Sequence, residues 1–179
     1  MPGHTGSLLT LFPIKSEVKV PQADDIQRVM DLVKLVGQGV KNAESIADKL
    51  EVDPRQSSYY REAAEILGFL SEEQPYTLTE LGKEFVSLER TRKTGLTKCA
   101  LLCNPIVRTI VACLQTGVVQ SVTKKDVEDL ISSVSDLRGE TVPRRAQTVL
   151  AWVRWLQQND SVLSVESDVI RLDTQRRLF

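Results

Sequence analysis

The stretch TVPRRAQTVLAWVRWLQQND, residues 141–160, decides the expected fold of the second half of the chain. Its apolar residues recur at positions i, i+3, i+4 and i+7, which is the spacing of one buried face of an α-helix. They are Val149, Trp152, Val153 and Leu156. Thr141 is a suitable N-cap, and Pro143 falls in the first turn, where a missing backbone N–H costs nothing. The stretch is therefore predicted to be one helix that packs through a single apolar stripe.

The N-terminal half of this helix carries hydrogen-bond donors with no carboxylate between them. These residues are Arg144, Arg145, Gln147 and Thr148. An apolar stripe would dock the helix while the arginines project from its front, which suits a helix laid against phosphate groups or base edges. The alternative is a core helix with a solvated basic end.

The composition is that of a soluble globular protein. Hydrophobic residues make up 41% of the 179 residues, charged residues make up 26%, and the net charge is −1. Such a chain is not a nonspecific polyanion binder, so any nucleic-acid binding must use a local basic patch. No apolar run approaches the roughly 18 residues that cross a bilayer, and the N-terminus lacks the features of a signal peptide. Three cysteines, an odd number, favour a reducing compartment. We expect a cytoplasmic protein without membrane contacts.

The first half of the chain predicts three helices, a short hairpin and a fourth helix. Residues 1–22 contain prolines and glycines without a sustained period and are interpreted as an N-terminal arm. Residues 23–88 follow as the first domain. Within it Asp24 and Asp25 open the first helix, and Asn42, Asp53 and Thr79 cap the next three, with Pro54 at the first position of the third. Residues 69–78 form the hairpin. A helix–turn–helix followed by a β-hairpin is the plan of a winged helix.

The second half repeats this order after a polar, basic linker at residues 89–100. Residues 101–179 predict a helix after Pro105, a helix capped by Thr123, the helix quoted above and a second hairpin at residues 162–172. Pro54-Arg55-Gln56 matches Pro143-Arg144-Arg145, at a period of about 90 residues, which is suitable for two small domains. The predicted fold class is mainly α with small β-hairpins (α+β), as two tandem winged-helix domains.

Two segments carry a resemblance to a known group of proteins. DPRQSSYYREAAEILGFL, followed by YTLTELGKEFVSL, resembles a winged-helix module at the front of some prokaryotic type II restriction endonucleases and related defence proteins. VPRRAQTVLAWVRWL is similar to the companion motif of those proteins. The resemblance implies tandem winged-helix recognition of double-stranded DNA, with cleavage by a separate nuclease domain or subunit. By position, it places the DNA-contacting helices at Arg55–Arg61 and Arg144–Thr148.

The residue types in the first of these helices fit base and phosphate contacts. Arg binds guanine in a bidentate manner, Gln binds adenine, and Ser or Tyr binds phosphate. The candidates are Arg55, Gln56, Ser58, Tyr59 and Arg61, together with Arg144, Arg145, Gln147 and Thr148 in the second helix. Arg61 has an alternative, an ion pair with Glu65 one turn later. The linker cations Arg90, Arg92, Lys93 and Lys98 are either solvated or a phosphate clamp.

No catalytic or metal site is predicted in this chain. Glu17-Val18-Lys19 has the Glu-x-Lys spacing of some nucleases but no acidic partner on a preceding strand, and His4 is the only histidine. Cys99, Cys103 and Cys113 lack the fourth ligand and the Cys-x-x-Cys spacing of a zinc site, so buried thiols are expected. No cofactor motif or small-molecule substrate is evident.

The leading hypothesis is therefore a sequence-specific DNA-binding module of a restriction–modification or related defence system. Two alternatives remain at this stage. One is a winged-helix protein-interaction module or a transcriptional regulator without nuclease linkage, which the sequence pI of 5.9 permits. The other is a nuclease in its own right, which the missing metal site disfavours.

Overall fold

The computed structural model describes residues 18–159 and 162–173, and these are mainly helical with a small antiparallel sheet, an α+β architecture. The chain divides into two compact units. We call Pro21–Ala100 the first unit and Met1–Val20 with Leu101–Phe179 the second unit. Among the described residues no single helix is long and apolar enough to cross a membrane, although Arg90–Cys103 and Pro105–Gln115 pass that test when taken together across a bend.

The first unit contains four helices and most of a fifth. Their bounds are α1 Ile26–Gly37, α2 Ala43–Leu50, α3 Pro54–Ile66, α4 Glu80–Ser87 and α5 Arg90–Cys103. The first four begin at side chains that accept a backbone N–H of the first turn, from Asp25, Asn42, Asp53 and Thr79. Such caps satisfy donors that the helix itself leaves without partners. The predicted starts of all four helices are confirmed.

The core of the first unit forms where α1 packs against α2, α3 and α4. Val29, Leu32 and Val33 of α1 are fully buried. Phe69 and Phe85 are also buried, and their ring centroids lie 5.1 Å apart at a tilted angle. Burial of these side chains supplies the main favourable free energy of folding for this unit.

The predicted hairpin at residues 69–78 is reduced to a single antiparallel bridge between Leu70 and Leu78. The Thr79 hydroxyl closes it by donating to the Gly68 carbonyl at 2.5 Å, and it accepts the Gly82 amide at 3.0 Å. Helix α4 comes so close to this segment that a Cβ on Gly82 would lie 2.1 Å from the Phe69 carbonyl oxygen. Only glycine fits there, because real Cβ atoms do not approach a backbone atom so closely.

The basic stretch interpreted as a linker is helical, not a loop, since α5 begins at Arg90. Thr97 is buried, and its hydroxyl contacts the Met30 sulfur of α1 at 3.2 Å. The Lys93 ammonium lies 5.7 Å from the centroid of the Phe85 ring. These contacts attach the N-terminal part of α5 to the core of the first unit.

The described part of the second unit contains the end of α5, three further helices and a three-stranded sheet. Their bounds are α6 Pro105–Gln115, β1 Val122–Thr123, α7 Lys124–Val134, α8 Thr141–Gln158, β2 Leu163–Glu166 and β3 Val169–Leu172. The sheet order is β1-β3-β2, and both pairings are antiparallel. The hairpin predicted around residues 162–172 is confirmed, whereas strand β1 was not predicted. Thr123 and Asp126 form a complete capping box at the start of α7.

The stripe of α8 packs as predicted, because Val149, Trp152, Val153 and Leu156 are all buried. The predicted cap is wrong: Thr141 is the first helical residue, and Glu140 precedes it without a side-chain cap hydrogen bond.

The turn of the second hairpin joins strands β2 and β3 through two residues with positive φ, Ser167 and Asp168. A turn of this type matches the twist of the two strands. Arg154 of α8 forms an ion pair with Asp168. The hairpin is thus fixed to the outer side of α8.

The end of the predicted arm is integrated into the second unit. Val18 and Val20 are buried, and the Val18 amide donates to the Val134 carbonyl at 2.9 Å. The interpretation of residues 1–22 as a loose arm is therefore corrected from Val18 onward. Residues 1–17, which include His4 and Glu17, lie outside the described residues.

Candidate nucleic-acid interface

The outer face of helix α3 is the most exposed of the predicted contact surfaces. Only Ser57, Ala63 and Ala64 are buried in this 13-residue helix. Arg55, Gln56 and Ser58 are exposed, and Tyr59 is half-exposed. We define these four residues as the α3 face. The small buried residues allow α3 to pack on α1 and α2 while its larger polar residues point to solvent.

Arg55 is held in place by a neighbour on the same helix. Its Nε donates to the Tyr59 hydroxyl at 2.7 Å, and the guanidinium carbon lies 5.9 Å from the centroid of the tyrosine ring. The Nη groups of the guanidinium stay available on an exposed side chain, in the fork geometry that suits guanine or phosphate. Holding the side chain reduces the conformational entropy lost on binding.

Arg61 does not belong to this face. Its Nε lies 3.2 Å from Glu65 Oε1, and its guanidinium carbon lies 5.6 Å from the centroid of the Tyr76 ring. The alternative interpretation, an ion pair one turn later, is confirmed. Placing Arg61 among the outward DNA contacts is corrected, because its guanidinium is already occupied within the first unit.

The front of α8 differs from the prediction at two of its four residues. Arg144 is exposed and Gln147 is half-exposed, as a contact surface requires. Arg145, however, donates from Nη1 to the Val20 carbonyl at 2.6 Å. Thr148 is buried, with 4% of its surface exposed, and its hydroxyl lies 3.4 Å from the Arg144 carbonyl. The outward placement of Arg145 and Thr148 is therefore corrected.

Sequence reasoning missed the exposed side of α8 beyond its first two turns. Ala151, Arg154 and Trp155 are half-exposed, and they continue the line of Arg144 and Gln147 along the helix. The signal was present, since these positions recur every three or four residues outside the apolar stripe. From its type alone Trp155 could stack on bases or pack, and at helical spacing tryptophan more often packs.

Acidic residues lie near Tyr60 of α3 and at the turns that follow α3 and α8. Desolvation by burial raises the pKa of Tyr60 above its ordinary value, the Asp25 and Asp24 carboxylates raise it further, and Arg28 opposes them. The turn of the first hairpin exposes Glu72 and Glu73, and Glu166 is exposed at the second. These carboxylates would repel a phosphate backbone, so the hairpin turns are unsuitable for phosphate contacts.

The cysteines are distributed differently from the expectation. Cys113 is buried, and desolvation raises the pKa of its thiol, whereas Cys99 and Cys103 are exposed. The expectation of buried thiols is confirmed for Cys113 and wrong for the other two. Within residues 18–159 and 162–173, no group of three or more His, Cys, Asp or Glu side chains is placed to hold a metal ion.

Comparison with known proteins places the chain in one family. Residues 28–161 match a family described as a domain of unknown function, DUF7226. The match covers about three quarters of the chain, so the protein belongs to this family, and it includes both α3 and α8. No curated protein and no solved structure matches the chain.

Proposed function

We propose that this member of the DUF7226 family is a double-stranded DNA-binding module that reads its site with helix α3. The observation that carries the proposal is the α3 face, where an arginine held by Tyr59 lies beside an exposed glutamine and serine near the helix N-terminus. Helix N-termini of this composition are the parts of helix–turn–helix proteins that reach base edges.

The order of elements in each unit supports a winged-helix interpretation. In the first unit, α1, α2 and α3 precede the bridge between Leu70 and Leu78. In the second unit the order is α6, β1, α7, α8, β2 and β3, with β3 between the other two strands. In each unit a third helix is thus followed by antiparallel pairing, a single bridge in the first unit and a hairpin in the second, in the order found in winged helices.

The chemistry of the α3 face favours the major groove. Arg55 would bind guanine O6 and N7 through its Nη groups, and Gln56 would bind adenine N6 and N7. The Ser58 hydroxyl, which lies 3.2 Å from the Pro54 carbonyl, would accept or donate at a phosphate. In the second unit only Arg144 and Gln147 of the predicted set would contribute.

The resemblance to restriction endonucleases suggests which kind of protein would use this DNA-binding module. We propose the target-recognition part of a cytoplasmic restriction–modification or defence protein, with cleavage by a separate nuclease domain or subunit. Nothing in the chemistry of the described side chains supplies a metal-dependent nuclease centre.

A protein-interaction module is the second candidate, and the hairpin turns favour it. Glu72 and Glu73 are exposed where a DNA-binding winged helix commonly approaches phosphate. A basic protein surface would be attracted to these carboxylates, and DNA would be repelled by them.

The test is selection from a randomised duplex pool, followed by binding measurements on the enriched sequence. The double variant Arg55→Ala, Gln56→Ala should weaken binding by about 10- to 1000-fold and relax the preference at one or two base pairs. Gln27→Ala, Lys83→Ala is the matched control, because it removes one amide and one cation from exposed positions outside the α3 face. Failure to enrich any duplex at low salt would refute DNA recognition and leave the interaction module as the leading candidate.

A further inference from the structure

Positive charge is concentrated in one stretch of a chain whose net charge is −1. Residues 90–125 contain no Asp or Glu. The same stretch contains seven cations, Arg90, Arg92, Lys93, Lys98, Arg108, Lys124 and Lys125. The first four lie on the part of α5 that belongs to the first unit.

Three other cations of the protein pair with carboxylates on their own helices. Lys34 pairs with Asp31 at 2.8 Å, Lys83 pairs with Glu80 at 2.6 Å, and Lys125 pairs with Asp129 at 2.8 Å. By contrast, Arg90, Arg92 and Lys98 form no ion pair with any other described residue. Within the part of the chain that the structure describes, these three charges therefore have no carboxylate partner, and they are available to bind an external anion.

The helix also presents these charges in a fixed arrangement. Thr97 is buried against Met30, and Lys93 lies against Phe85, so one side of α5 is attached to the unit. Arg90 and Arg92 are exposed, and Lys98 is half-exposed. At about 1.5 Å of rise per residue, the two ends of this set are roughly 12 Å apart along the helix axis. Around the axis, at about 100° per residue, Arg90 and Lys98 lie roughly 80° apart and Arg92 lies roughly 120° beyond Lys98, so the three cations border a broad exposed surface and do not form a single row.

We infer that Arg90, Arg92 and Lys98 form a phosphate clamp that holds the backbone of duplex DNA without reading its sequence. This inference rests on the proposed function and assigns it a second contact surface. Arginine binds phosphate in a bidentate manner, and each neutralised phosphate releases a condensed counterion. The clamp supplies the affinity that a chain of low net charge otherwise lacks, while the α3 face supplies selectivity.

The experiment measures the slope of log K against log salt on the selected duplex. The triple variant Arg90→Ala, Arg92→Ala, Lys98→Ala should reduce the slope by about two to three and keep the same preferred sequence. Lys93 is left unchanged because it packs against Phe85. The control Lys34→Ala, Lys83→Ala, Lys125→Ala removes the same charge from ion-paired positions, and its slope should fall by less than about one.

The outcomes separate the two proposals. If the parent protein enriches no duplex, the proposed function fails, and the clamp fails with it. If the α3 double variant weakens binding while the clamp variant retains both slope and affinity, the clamp is wrong and the proposed function stands. Circular dichroism monitors folding, and Arg90→Gln, Arg92→Gln, Lys98→Gln replaces the alanine variant if that variant unfolds. An equal fall in slope for the control and the clamp variant would also overturn the inference, since net charge alone would then explain it.

Discussion

Helices α3 and α8 share a register but differ in what they bury. Matching positions Ser57 and Ala146, Ala63 and Trp152, and Ala64 and Val153 are buried in both. Yet only three of 13 residues are buried in α3, against eight of 18 in α8. The difference shows that the same helix register can present a largely exposed polar surface or serve as the central element of a core.

The side chains at the matched positions explain this difference. The α3 residues are small, so the helix approaches its neighbours closely and keeps its larger residues outside. The α8 stripe instead contains Trp152, which fills the interior of the second unit. Polar chemistry on α8 is correspondingly restricted, and even its arginine at position 145 is engaged by the Val20 carbonyl.

The largest expected effect is a loss of stability when the buried indole at the centre of α8 is removed. Trp152→Ala should cost about 3–5 kcal/mol of stability in the second unit, because the indole is fully buried and leaves a cavity. Both tryptophans of the chain lie on α8, so the fluorescence of the remaining Trp155 in urea titrations reports this unit alone. The three tyrosines lie in the first unit and provide its separate signal. An unchanged midpoint for Trp155 would contradict the role assigned to α8.

The next largest effect concerns the first unit, where Gly82 allows α4 to pack closely against Phe69. Gly82→Ala should cost about 1–3 kcal/mol, because the new Cβ would overlap the Phe69 carbonyl. Gly95 of α5 has nothing within 4 Å of the position that a Cβ would take, so Gly95→Ala is the control. It should instead stabilise the helix by about 0.5–1 kcal/mol. Tyrosine fluorescence in urea measures both, and equal effects of the two changes would refute the steric argument.

Substituting the arginines near the N-termini of α3 and α8 should affect stability at one position and DNA binding at the others. Arg145→Ala should cost about 1–3 kcal/mol, because the Val20 carbonyl loses its donor. Arg144→Ala and Arg55→Ala should each change stability by less than about 0.5 kcal/mol, because both side chains are exposed. On the selected duplex the order should reverse, with the exposed arginines affecting binding. An equal loss of stability for Arg144→Ala and Arg145→Ala would contradict a structural role for Arg145 that Arg144 lacks.

The smallest effect is a pH dependence confined to the first unit. Burial and the nearby Asp25 and Asp24 carboxylates raise the pKa of Tyr60 above its ordinary value of 10.0. A tyrosine whose pKa is raised in the folded state is harder to ionise there than in the unfolded chain. The contribution of Tyr60 to stability is therefore fully present below pH 10. It is lost as the pH rises through the pKa of Tyr60 in the folded state. Tyr60→Phe should flatten this alkaline loss in urea titrations followed by circular dichroism. A variant with the same alkaline slope as the parent would assign the loss to other groups.

Local signals made most of the helices predictable. Asn42, Asp53 and Thr79 cap helices where the sequence places them, since a cap depends on neighbours within three residues. The stripe of α8 followed in the same way from its spacing. By contrast, strand β1 depends on the pairing of Val122 with Ile170, which no local pattern specifies.

The candidate site was less predictable from the sequence. The residues that were misplaced make contacts with distant parts of the chain, or have a residue type that fits more than one environment. The partner of Arg145 is a carbonyl 125 positions away. Thr148 lies one turn before Trp152 and is buried on the same side of α8. It was predicted to face outward because threonine is polar. The pairing of Arg61 with Glu65 is local, and the sequence offered it as an alternative for that reason.

The hydrogen bond between Arg145 and Val20 has a consequence for synthesis on the ribosome. The second unit combines residues up to Val20 with residues from Leu101 onward, so the first unit is inserted within its sequence. Because translation proceeds from the N-terminus, residues 21–100 emerge whole and can fold first. The segment at Val18–Val20 cannot make its hydrogen bonds to Val134 and Arg145 until α7 and α8 have been synthesised. A pause in translation once residue 100 has left the ribosome would therefore yield a folded first unit attached to an incomplete second unit.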